Sequence, residues 1–316
     1  MKNKKLIAVI LAAVVLLGAI AFVILAMPSG KNREDGGKTV MCSFYPLYIF
    51  AENVLDGAED ISVICMTPQS TGCLHDYQLL AGDMQKLCSA DAFIICGAGM
   101  EQFLDKVTEQ RADLYTVDCS AGIELIREEE HHHHGDDDAD EDEDEVNAHF
   151  WLDPMRAIQM VENMANGLME RYPEHAELIR TNTEAYKARL TALDEKLQAG
   201  LAALARRDIV TFHEAFPYFA QRYGLEIVAV MTLEPEESLS EKAMTELADI
   251  VRAHDCPPLF TEPVYSSVAA EVVSNETGAR VYRLDPVVNG SYEKDAYEKA
   301  MLSNMETLRE ALGVAE

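Results

Sequence analysis

Four residues of metal-ligating type stand at separated points of the chain. His75 lies in a loop after an apolar, strand-like segment, and His149 follows a long acidic run. His213 ends the segment DIVTF, and Asp285 ends RVYRL. In parallel α/β sheets, ligands bind beyond the carboxyl ends of strands, which suits His213 and Asp285. Any one of these histidines alone would ordinarily be a surface or capped residue. As a set they are two from each half, all at strand edges. Three neutral imidazoles and one carboxylate make a nitrogen/oxygen site of tetrahedral type, suited to zinc. A zinc hydrolase is the rival from another class. Against it, His213-Glu214 is not followed by the x-x-His of a zincin helix. Asp285 would also close the position that a catalytic water needs.

The elements that must hold these residues follow from the apolar pattern. TVMCSF, ISVICM, AFIICG and LYTVDC read as strands. They alternate with helices over Pro46–Leu55, Leu79–Leu87 and Gln102–Gln110. Strands at that spacing imply a parallel sheet covered on both faces. After WLDP, a helix runs over Met155–Arg171, and a second helical stretch over Glu174–Leu204. Its apolar residues step mainly by three and four, from Ile179 through Tyr186, Leu190, Leu193, Leu197 and Leu201. One buried stripe of that length predicts a rigid strut of about 45 Å. Alternation then resumes, with strands DIVTF, EIVAVM, PLFTE and RVYRL. The helices between and after them are Ala215–Tyr223, Glu241–Ala253, Ser267–Glu276 and Asp295–Leu312. The predicted fold is α/β, two lobes with parallel sheets joined by a long backbone helix. Its divisions are an N-terminal lobe over 39–153, helices over 154–205 and a C-terminal lobe over 206–316.

Charge and targeting bound what such a body does. The formal charge is −29, and twelve of the acidic residues sit in 128–145, without Lys or Arg. The rest still lacks a basic stripe, which argues against nucleic acid. The core of that run, EEEHHHHGDDDADEDEDE, has no apolar periodicity and reads as a loop. Lys2, Lys4 and Lys5 precede twenty-two uncharged residues, Leu6–Met27. That is longer than a signal-peptide core and long enough to span. We read residues 1–27 as an uncleaved anchor, with a cleaved signal peptide as the alternative, and 28–38 as a polar tether. The folded body then works outside the cytoplasm. The seven cysteines are odd in number, lie mostly in apolar stretches and include no C-x-x-C pair. They read as small buried hydrophobes rather than a disulfide framework or a thiolate zinc site.

Five motifs in order resemble the ZnuA-like (cluster A-I) zinc and manganese solute-binding proteins of ABC importers. They are HDYQLLAGDMQKLCSADAFIICGAGMEQFL from His75, NAHFWLDP from Asn147, TFHEAFPYFAQRYGLEI from Thr211, LFTEP from Leu259 and RLDP from Arg283. The resemblance covers Val40 to the C-terminus. It implies a non-enzymatic protein that holds its ion between two lobes, with His75, His149, His213 and Asp285 as ligands. It also implies Glu262 beside the ligands, and a separate permease and ATPase. This chain has no Gly-rich phosphate loop of its own. His213 stands where manganese-binding members tend to carry Glu, which favours zinc, with manganese as the alternative. The loop histidines His131, His132, His133 and His134 match the ion-collecting loop of zinc members. A metal-buffering surface adhesin is a further alternative. Three departures stand out. The lipoprotein cysteine is missing, TLEPEESLS is unusually charged, and TGCL puts Cys73 two residues before His75. Spacing of i, i+2 on a loop rarely chelates one ion, so Cys73 reads as a spectator.

Overall fold

The computed structural model describes residues 37–127, 146–231, 241–263 and 266–315. The N-terminal apolar segment, the loop carrying His131–His134 and the segment TLEPEESLS lie outside the described residues. Among the described residues, no helix is long and apolar enough to cross a membrane. Contacts divide the chain into Met1–Lys38 and Thr39–Glu316, and apart from Lys38, the first residue of the first strand, the sheets and helices named here lie in the second unit.

The first sheet is built from β1 (Lys38–Cys42), β2 (Ile61–Cys65), β3 (Ala92–Ile95) and β4 (Tyr115–Asp118), in the order β2-β1-β3-β4. Helices α1 (Tyr45–Val54), α2 (Ala81–Leu87) and α3 (Leu104–Gln110) connect them. Pairing of β1 with β3 and of β3 with β4 is parallel. β3 is buried along its whole length and β1 beyond its first residue. That is why both read as continuous apolar runs rather than alternating ones.

The second sheet repeats the plan. Strands β5 (Asp208–Thr211), β6 (Glu226–Val230), β7 (Leu259–Thr261) and β8 (Val281–Arg283) lie in the order β6-β5-β7-β8. Their helices are α6 (Pro217–Tyr223), α7 (Glu241–Ala253) and α8 (Val268–Thr277). Counted from its own first strand, each sheet has the order 2-1-3-4, although no sequence repeat is visible. Each therefore has a topological switch point, between β1 and β3 in one and between β5 and β7 in the other.

Between the sheets run α4 (Pro154–Arg171) and α5 (Ala176–Leu201), and α9 (Ala296–Leu312) closes the fold. Asp153 caps α4, its Oδ1 accepting the Met155 N–H at 2.9 Å, with Pro154 in the first turn. The strut α5 is shorter than the expected Glu174–Leu204, because Pro173–His175 forms a separate 3-10 turn. At 1.5 Å per residue it spans about 39 Å. Its predicted stripe is buried, and with it the polar Thr183 and Asp194. That carboxylate takes both arms of Arg222, at 2.8 and 2.6 Å, and the Tyr223 hydroxyl at 3.0 Å. The strut is thereby pinned to α6, the helix just beyond His213. The main core cluster runs from the first sheet through α4 and α5 to Tyr218, Tyr297 and Leu308. It crosses both predicted boundaries, 153/154 and 205/206. A smaller cluster of Val210, Leu247, Val251, Leu259 and Val273 lies within the second sheet and its helices.

Candidate metal centre

His213 and Glu262 sit just past the ends of β5 and β7, at the second sheet's switch point. The His213 Nδ1 lies 2.6 Å from Glu262 Oε1. With the carboxylate taking the Nδ1 proton, Nε2 is left as the ligating nitrogen, the usual backing of a metal-bound imidazole. The other oxygen, Glu262 Oε2, is buried with no hydrogen-bond partner.

His149 comes from the turn that opens NAHFWLDP, immediately before a 3-10 turn over Phe150–Leu152. It is 2% exposed, so its ring nitrogens must be satisfied by protein or ligand. Nδ1 lies 3.1 Å from Asn147 Oδ1. Asn147 cannot present its amide nitrogen there, because Nδ2 donates to the Glu214 carbonyl at 2.7 Å. The His149 tautomer is therefore fixed with the proton on Nδ1 and the lone pair on Nε2. Tyr218 of α6 donates to the Asn147 carbonyl at 2.5 Å and accepts from the Ile126 N–H at 2.8 Å. The second lobe thus holds the first lobe's histidine in register.

The Cys73 thiol occupies the middle of the cluster. Its Sγ is 3.3 Å from His149 Nε2 and 3.0 Å from His75 Nδ1. Ligand atoms of Cys73, His149 and His213 all lie within 4.8 Å of one another. Cys73, expected as a spectator, thus lies in contact with the histidines. Cys73 is extended (φ −64°, ψ 143°) immediately before a 3-10 turn over Leu74–Asp76, and this brings the side chains at 73 and 75 together. The ring centroids of His75 and His213 lie 5.2 and 4.9 Å from that of His149.

His75, although its Nδ1 is 3.0 Å from Cys73 Sγ, and Asp285, two residues past β8, both fall outside that 4.8 Å set. The Asp285 Oδ1 accepts the Val287 N–H at 2.7 Å, and Asn304 holds its backbone N–H at 2.8 Å. Val287 has φ +59°, a conformation that a β-branched residue adopts only under constraint. Burial raises the Asp285 carboxyl above its ordinary range.

Proton affinities in the cluster are far apart. Burial drives His149 down to about 4, against the opposing pull of Cys73. Burial also opposes charge on His213, yet the Cys73 sulfur and the Glu262 carboxylate together raise it to about 10. For Cys73, burial would raise the thiol, but His149, His213 and His75 hold it well below its ordinary value. Without an ion, Cys73 and His213 favour each other's charged form, while burial favours the neutral form of His149. A divalent cation would take the place of the His213 proton.

Two features were missed in the sequence. The Asn147 backing depends on a carbonyl supplied by the other lobe, and the sequence carries no sign of it. The Cys73 position had a signal, the cysteine in TGCL just before a ligand-type histidine.

Comparison with known proteins bears on the family and the fold. The profile of the family described as "ZnuA: Zinc-uptake complex component A periplasmic" matches residues 40–311. The zinc-binding lipoprotein AdcA of Streptococcus pneumoniae is 28% identical over 300 residues, covering 94% of this chain and 59% of AdcA. This chain thus spans under two thirds of that relative's length. The manganese-binding lipoprotein MntA of Halalkalibacterium halodurans is 26% identical over 258 residues, 81% of each chain. Among solved structures, the Zn(II)-bound ZnuA-like domain of S. pneumoniae AdcA superposes with a TM-score of 0.72 at 26% identity. The match covers 88% of this chain and 99% of that one. The chain belongs to the ZnuA family of metal-binding solute-binding proteins.

Proposed function

We propose that this protein captures zinc between its two lobes on the extracytoplasmic side and delivers it to an ABC permease driven by a separate ATPase. The observation that carries the reading is the convergence of His149 and His213, one from each lobe, on one point beside His75. Each has its Nδ1 backed by a fixed acceptor. Imidazole nitrogens pre-turned in this way bind zinc without reorganisation, and affinity is gained by not having to order them. Asp285 would complete or shield the site from the second lobe. The His131–His134 loop would gather ions at weaker affinity, and the N-terminal apolar segment would hold the body at the membrane. Similarity to MntA keeps manganese as the second reading, but manganese prefers oxygen donors to the imidazoles gathered here.

Competition titration of the full chain in detergent against a chromophoric chelator tests this. One zinc should bind far more tightly than manganese, and His213→Ala should lose at least a hundredfold in zinc affinity. Manganese bound as tightly as zinc would overturn the zinc reading. Wild-type affinity in His213→Ala would remove His213 from the site. Deleting 128–145 should leave the tight equivalent and remove only weaker ones.

A further inference from the structure

The cluster holds one more donor than its histidines, and that donor is sulfur. Cys73 is 4% exposed and is the residue on which the ring nitrogens converge. A structural thiol would be expected to lie against apolar side chains. This one, although it borders the apolar core, also faces ring nitrogens, and two of the rings, His149 and His213, have tautomers set by their backing. Asn147 Oδ1 claims the Nδ1 proton of His149, and Glu262 Oε1 that of His213. The lone pair of His149 Nε2 therefore faces the sulfur, an arrangement that a bound cation between them would satisfy.

We propose that Cys73 is a thiolate ligand of the transported ion, so that the site is three imidazoles and one sulfur. This rests on the zinc-capture reading above and deepens it. Zinc–sulfur and zinc–nitrogen bonds of about 2.3 and 2.0–2.1 Å at a tetrahedral angle put sulfur and nitrogen about 3.5 Å apart. The observed 3.0 and 3.3 Å need to open by only a few tenths of an ångström. Asp285 is less well placed as the fourth ligand, since one of its oxygens already serves the Val287 N–H. A thiolate changes what the site selects. Sulfur is a soft donor that suits zinc, whereas manganese takes carboxylate and water, so Cys73 sharpens discrimination between the two.

X-ray absorption at the zinc edge tests the assignment, on the full chain in detergent loaded with less than one equivalent of zinc. The expected result is one sulfur at about 2.3 Å together with nitrogens at about 2.0–2.1 Å. In Cys73→Ser the sulfur shell should vanish while the nitrogen shell stays. Zinc affinity should fall at least tenfold with manganese affinity unchanged or higher. A wild-type spectrum with nitrogen and oxygen only, or a sulfur shell that persists in Cys73→Ser, would overturn the proposal while leaving zinc capture intact. A wild-type chain that retains no zinc would overturn both. The wild-type spectrum decides alone if the serine variant does not fold.

Discussion

The two sheets share one strand order, and each places a buried glutamate at its switch point, but the two carboxylates are treated differently. At the first, Glu101 is fully engaged. Its Oε1 accepts from Ser43 Oγ at 2.6 Å and the Cys96 N–H at 2.7 Å, and its Oε2 from the Gly97 N–H at 3.0 Å. The loop cannot relax away, since Gly97 has φ +83° and a Cβ there would meet Asp118 Oδ1 at 2.0 Å. At the second, Glu262 spends one oxygen on His213 and leaves the other buried without a partner. Burial pushes both carboxyls above their ordinary range. Burial alone therefore does not separate a structural carboxylate from one at a binding site. Hydrogen-bond completeness does. The first switch point is a plug, and the second is open to an ion.

The largest effect should come from breaking the plug. Glu101→Ala leaves the Ser43 hydroxyl and two backbone N–H groups unpaired, at about 1–3 kcal/mol each. Denaturant unfolding of the metal-free chain should show a loss of at least about 3 kcal/mol. A loss under about 1 kcal/mol would mean the carboxylate is replaceable and the comparison false.

Acid should come next, through His149. Its folded value of about 4 lies below the unfolded value of about 6.5. Between those pH values the unfolded chain binds the extra proton, so stability falls as pH falls. The loss amounts to roughly 3 kcal/mol by pH 4. His213 runs the other way. Raised to about 10, it stabilises the metal-free fold fully below about pH 6.5, and that contribution is lost as pH rises through about 10. Melting of the metal-free chain from pH 7 to 4 should show the His149 slope, and His149→Gln should flatten it. An equal slope in that variant would assign the acid loss elsewhere.

A smaller effect is expected at the open carboxylate. Glu262→Gln should cost roughly 10–100-fold in zinc affinity, the usual range for a residue that backs a ligand. Its cost to metal-free stability should be smaller than that of Glu101→Ala, because the Gln carbonyl still accepts the His213 Nδ1–H and only the support that the charge gives to protonated His213 is lost. The profile opposite to Glu101→Ala, binding lost and fold kept, is the outcome that sustains the comparison. Zinc titration and denaturant unfolding of both variants check it.

Much of this architecture was legible in the sequence because alternation of apolar strands and helices needs no tertiary knowledge. DIVTF, RVYRL and AFIICG fall where β5, β8 and β3 lie. The α5 stripe was readable from its spacing, although its start was displaced by the turn at Pro173–His175. His213 was legible as a strand-end residue, since chain position fixes which sheet edge it reaches. Long-range hydrogen bonding was not legible. Nothing near Asn147 announces that Glu214 will hold its amide, and nothing at Glu101 announces Ser43, fifty-eight residues away. The closeness of Cys73 to the histidines was not legible because the i, i+2 rule assumes an ordinary loop, whereas an extended residue ahead of a 3-10 turn brings both side chains together.

The central claim is that one ion sits where His149 and His213 meet, held by both lobes. Anomalous diffraction at the zinc edge from crystals of the zinc-loaded chain measures this directly. The account predicts one strong peak within bonding distance of His75, His149 and His213, beside the Cys73 sulfur. Its main peak on the Asp60, Glu174 and His175 group, with none at the lobe junction, would contradict it.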